Sequence, residues 1–134
     1  MTRQWLAIVM GFVLLGASPV FARGQEAEET ELWTGTIYTS SFRCGFCTTK
    51  SGKARGVLLL KTVFGQVDEY HLYGTMRDGH LDVRHSSGHH VKGKIVSSTR
   101  VKGTITLGSG KTIAFKGKRK TGVRLKFSDC APLN

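Results

Sequence analysis

Cys44-Gly45-Phe46-Cys47 is the stretch whose residue types and spacing come nearest to chemistry. Two thiols three positions apart can cycle between dithiol and disulfide when the first sits at a helix N-terminus, where the dipole lowers its pKa. No βαβ pattern surrounds this pair, and it falls in the connection expected from Ser40 to Lys53, so a structural bond is the better reading. Three cysteines allow one bond. If residues 40–53 connect two strands at one end of an up-and-down barrel, the last strand carries Cys130 to the other end. That distance far exceeds the ~7 Å Cα limit for a bridge. The expected bond is therefore Cys44–Cys47, or an intermolecular one, rather than a staple to Cys130.

His85, His89 and His90 flank the Ser86-Ser87-Gly88 turn, close enough for two or three of them to meet a metal. The run lacks the carboxylate or thiolate that would make it a specific site, so no metal and no cofactor are assigned. His80 and Asp82 share a strand face, but no nucleophile is placed beside them. Asp68 and Glu69 are adjacent on a strand and point to opposite faces, which argues against a carboxylate dyad. No catalytic residue is assigned, and the expectation is a protein that is not an enzyme.

The elements that must position these residues are strands. A bulky apolar residue, a polar one and Gly recur at Trp33-Thr34-Gly35, Val91-Lys92-Gly93, Val101-Lys102-Gly103 and Phe115-Lys116-Gly117. The first three continue to Ile37, Ile95 and Ile105. A period of two marks half-buried strands, and Gly on the apolar face suits a tightly curved sheet. Turn residues divide the chain into strands at Leu32–Thr39, Ala54–Thr62, Val67–Thr75, His80–His85, His89–Val96, Arg100–Leu107, Lys111–Gly117 and Gly122–Phe127. Asp78-Gly79 is a strong hairpin signal. Helical periodicity is absent throughout. The fold class is all-β, a small antiparallel up-and-down meander that closes, or nearly closes, into an eight-stranded barrel. Its outward positions include Lys92, Lys94, Lys102 and Lys116, too costly to face lipid, so the barrel is expected to be soluble.

Ahead of the strands, Arg3, the apolar run Trp5–Leu15 and Val20-Phe21-Ala22 make a secretory signal peptide over residues 1–22. The apolar run is too short to span a bilayer. Residues 23–31 are expected to be an acidic flexible tail, 32–127 the single barrel domain and 128–134 a C-terminal tail. The expected location is periplasmic or extracellular.

Charge points to partners. The chain carries 20 Lys and Arg against 9 Asp and Glu, for a formal net charge of +11. No acidic residue occurs between Val83 and Ser128. Such a one-sided field favours anionic partners: a surface glycan, lipopolysaccharide, nucleic acid or an acidic protein. In the expected meander one end gathers Arg43, Lys50, Lys53, Arg77, Arg100, Lys118, Arg119 and Lys120, opposed only by Asp78. These eight are the candidate anion-binding residues, with Phe42 and Phe46 beside them. The reading is a non-catalytic exported binding protein. Two alternatives stand beside it: a small-molecule carrier using an interior left partly empty by Gly35, Gly93 and Gly103, and a thiol or metal protein.

Overall fold

The computed structural model describes residues 28–125 and residue 130. The proposed signal peptide and residues 23–27 lie outside the described residues. Eight strands follow in order: β1 (Glu28–Ile37), β2 (Ser40–Thr49), β3 (Lys53–Lys61), β4 (Val67–Arg77), β5 (His80–Arg84), β6 (His90–Ser97), β7 (Arg100–Thr106) and β8 (Thr112–Thr121). Each pairs antiparallel with its successor, and Glu31 through Thr36 of β1 pair with Thr121 through Lys116 of β8. The sheet is a closed barrel, as the alternation implied.

Two expected elements are corrected. Residues 40–49 form a strand, not part of a loop. Its apolar alternation runs Phe42, Cys44, Phe46, and becomes visible only when a buried thiol is counted as a small hydrophobe. Conversely, Gly122 through Leu125 lie outside the sheet. Gly122 through Leu125 therefore add no further strand to the barrel. The acidic stretch is also reassigned from Glu28 onward: Glu28, Glu29 and Glu31 belong to β1.

Four aromatic rings fill the interior. Trp33 and Phe46 meet edge to face at 5.3 Å, Phe42 and Phe115 at 5.5 Å, and Trp33 lies 6.5 Å from Phe115. Leu58, Leu72, Leu81, Val83, Val91, Val101 and Ile105 complete the core. The rings occupy the space that the inward glycines vacate. A Cβ on Gly93 would sit 2.6 Å from the Trp33 ring, and one on Gly103 would sit 2.1 Å from the Lys92 carbonyl oxygen and 2.7 Å from the Phe115 ring. Backbone can approach the core that closely only without a side chain.

One end of the barrel carries the β2–β3, β4–β5 and β6–β7 turns and the exit from β8. Asp78 and Gly79, with φ of 50° and 73°, both adopt the left-handed region that a two-residue Asp-Gly hairpin requires. The opposite end carries the β1–β2, β3–β4, β5–β6 and β7–β8 turns. The last three of these share one hydrogen-bonding pattern: Gly65 N–H to Thr62, Gly88 N–H to His85 and Gly110 N–H to Leu107, each closed by a second bond one residue longer.

Candidate anion-binding surface

The expected cysteine bond is overturned. The disulfide joins Cys47 to Cys130, with Cα atoms 5.9 Å apart. On an extended strand Cys44 and Cys47 point to opposite faces, and their Cα atoms stand about 10 Å apart, beyond the limit for a bridge. Cys44 belongs to the core cluster, whereas Cys47, on the opposite face of β2, is bonded to Cys130 and is also buried. Cys130 reaches Cys47 because the chain leaves β8 at the end where β2 finishes. Arg55, on the outer face of β3, donates to the Cys130 carbonyl and to both carboxylate oxygens of Glu28, at 2.9 and 3.1 Å. It thereby ties the start of β1 to the C-terminal segment. Val57, outward on the same strand, is only 3% exposed.

The histidines occupy the other end. His85 and His89 stack at 6.2 Å, and Tyr70 meets each edge to face at 5.3 and 5.5 Å. Ser87 N–H donates to His85 Nδ1, and Gly108 N–H donates to His89 Nδ1. Backbone amides can only donate, so both Nδ1 atoms act as acceptors in these contacts. Among the described residues no three His, Cys, Asp or Glu side chains converge as a metal set. Asp82 bonds His90, not His80, at 2.5 Å. This hydrogen bond, reinforced by the charges of His90, Lys92 and Arg84, holds the Asp82 carboxyl below its ordinary value despite some desolvation.

The eight cations proposed for the mouth do not all gather there. Lys50, Lys53, Arg77, Arg100, Lys118 and Lys120 lie at or near the end carrying the Asp78-Gly79 turn. Arg43 lies within β2 opposite Thr34 and Leu59, on the outer wall toward the other end. Arg119 points inward from β8. Its Nε and Nη2 donate to Glu31 at 3.2 and 3.0 Å, and the Trp33 indole N–H donates to Glu31 at 2.5 Å. Asp78 is therefore not the lone carboxylate at this end, since β1 brings Glu28, Glu29 and Glu31 to it. Phe42 and Phe46 are core residues, 6% and 1% exposed, and offer the mouth no stacking contact.

The densest cationic array lies instead on the wall. Lys94 of β6 is opposite Lys102 of β7, which is opposite Lys116 of β8. One step along the strands, on the same face, Arg100 is opposite Lys118. Cross-strand partners on one face stand ~5 Å apart, and like charges placed there repel. Residues two apart on a strand add ~7 Å in the other direction. Between these side chains runs a shallow groove floored by Thr36, Gly93, Gly103, Thr104 and Ala114, and it continues past Thr34 and Gly117. The groove follows from the core: where Gly93 and Gly103 let the sheet settle onto Trp33 and Phe115, its outer face is recessed. The sequence signal for this array is the apolar-polar-Gly repeat, which puts Lys94, Lys102 and Lys116 outward; Lys118 falls in the expected last turn and is found on β8 instead. The missing piece was the register that aligns them.

Below the histidine end lies an apolar cavity of about 70 Å³, lined by Leu60, Tyr70, His89, Leu107 and Ile113 among others. Ligand pockets usually measure about 300–1,000 Å³. No protein-family model matches this chain, and no curated protein and no solved structure matches it at a significant level.

Proposed function

We propose that this protein is an exported, non-catalytic binding module that holds a linear anionic polymer along the outer wall of β6, β7 and β8. The observation that carries the reading is the in-register row Lys94–Lys102–Lys116 beside Arg100–Lys118. None of these three strands contains an acidic residue. Repulsion within such a row is relieved when repeating anions lie across it. The threonine hydroxyls of the floor add uncharged hydrogen-bonding groups. On β6, β7 and β8 the exposed large apolar side chain is Val96, and no aromatic ring is exposed, so stacking on successive bases has no platform here. That favours a sulfated, phosphorylated or uronate-bearing glycan over a single-stranded nucleic acid. The carrier reading is weaker, because the rings fill the interior, and so is the thiol reading, because the two cysteines of the C-x-x-C stretch face opposite ways.

The test is retention on immobilised heparin as a function of salt. A Lys94, Lys102, Lys116→Ala variant should elute at clearly lower salt, with the slope of log affinity against log salt reduced by about 2–3. A Lys50, Lys53, Arg77→Ala variant should change much less. Equal losses would leave a diffuse basic coat and sink the wall as a site.

A further inference from the structure

The three matched turns at the histidine end contain an internal comparison. Their two tip residues are Ser86-Ser87, Gly108-Ser109 and Val63-Phe64, on one shared hydrogen-bonding pattern. The first two pairs are the small, polar residues that such turns favour. Nothing in the turn geometry asks for the third. Phe64 is 95% exposed and Val63 64% exposed, and a Cβ on neighbouring Gly65 would have nothing within 4 Å. The pair therefore stands clear of the barrel at the tip of the β3–β4 hairpin.

A second turn at the same end departs from its own rule. Tyr38 opens the two-residue β1–β2 turn with φ of 53°, a left-handed position normally given to Gly or Asn. Its ring is 70% exposed, and Lys111 Nζ lies 5.7 Å from the ring centre. At two turns of one end, side chains that the backbone does not call for point into solvent.

We infer that this end of the barrel docks onto a lipid surface, with Val63 and Phe64 entering the acyl boundary and Tyr38 and Lys111 at the headgroup level. The shape favours lipid over a protein partner. The Val63-Phe64 tip is itself narrow and offers no broad face for a complementary protein surface, whereas a bilayer closes around it. Tyrosine and lysine, with apolar bodies and polar ends, are suited to the interfacial zone. The wall lysines bar deeper entry. Lys61, Asp68 and Glu69 together give the base of this hairpin no excess of positive charge, so the contact differs in kind from the polyanion wall.

Flotation with phosphatidylcholine vesicles tests this, because a zwitterionic surface does not reward net positive charge. The purified protein should float with the vesicles, with little dependence on salt. A Val63→Ser, Phe64→Ser variant should lose about tenfold or more in partitioning. Both positions are exposed, so the variant should keep the wild-type circular dichroism spectrum. The Lys94, Lys102, Lys116→Ala variant should float like the wild type, which separates this inference from the polyanion reading. In a Phe64→Trp protein, lipids brominated near the headgroup end of the acyl chain should quench the new indole but not buried Trp33. Absence of flotation overturns the inference, as does flotation unchanged by the double serine variant. Self-association that depends on Phe64 without flotation would assign the tip to protein contact instead.

Discussion

Glu31 and Arg119 face each other inside one end of the barrel, on adjacent strands, with both guanidinium contacts at 3.2 Å or less. The two side chains are 11% and 18% exposed. The pair fastens the seam where β8 closes onto β1, and the Trp33 indole shares the same carboxylate. Glu31→Gln should therefore destabilise the protein by about 1–3 kcal/mol, because a largely buried guanidinium loses its countercharge. Removing both charges, as Glu31→Gln with Arg119→Gln, should cost less than the two single changes added together. Urea denaturation of the four proteins checks this, and strict additivity would mean the pair is uncoupled.

The wall row implies a trade between stability and binding. Lys102 has a lysine directly across from it on each side. Lys102→Thr should raise stability by about 0.2–1 kcal/mol at low salt, with the gain shrinking as salt rises. The same substitution should weaken heparin retention. A loss of stability would show that Lys102 is held by contacts other than these charges.

Peptide mapping without reduction should recover Cys47 linked to Cys130. That bond closes a loop of 83 residues in sequence separation, so a Cys47→Ala, Cys130→Ala protein should be about 2–5 kcal/mol less stable. Recovery of a Cys44–Cys47 peptide from folded protein would refute the arrangement of β2.

Acid stability should depend on His90. The hydrogen bond from this ring holds the Asp82 carboxyl below its ordinary value of 3.8. The ionised, bonded form thus favours the folded state above about pH 4, and the contribution fades as pH falls through the lowered folded value. In His90→Asn the Asp82 titration, followed by carboxyl carbon NMR, should move upward. Stability should then change less between neutral and strongly acidic pH than in the wild type. An unchanged Asp82 titration would sever the link.

The barrel was legible because its apolar, polar and glycine positions repeat with period two from Val91 to Gly117. Strand β2 was not legible, since its face is written with two phenylalanines and a cysteine, and Gly45 with Cys47 makes the opposite face look small as well. One missing strand shifts the rest. Without β2 the chain needed an eighth strand after Gly122, which sent Cys130 to the wrong end and made Cys44 the nearest partner. The grouping of the eight cations departs from the structure for another reason. Charges were grouped by turn, but alignment of Lys94, Lys102 and Lys116 is a property of register, which no single strand's sequence states. Likewise, Arg119 reads as one of three consecutive cations until parity turns it inward toward Glu31.

The opposed facing of Cys44 and Cys47 bears on how the protein reaches its oxidised state. In an unfolded chain the two thiols are the nearest neighbours, and closing so short a loop costs far less entropy than bringing Cys130 back across the sequence. Oxidation ahead of folding therefore favours the wrong ring, and that ring holds residues 44–47 too bent to join β1 and β3. Sheet assembly that draws Cys44 into the core shields the competing nucleophile and leaves Cys47 to meet Cys130. Pleating before oxidation is therefore the order expected to yield the Cys47–Cys130 bond, and a Cys44–Cys47 isomer would need thiol exchange to be rescued.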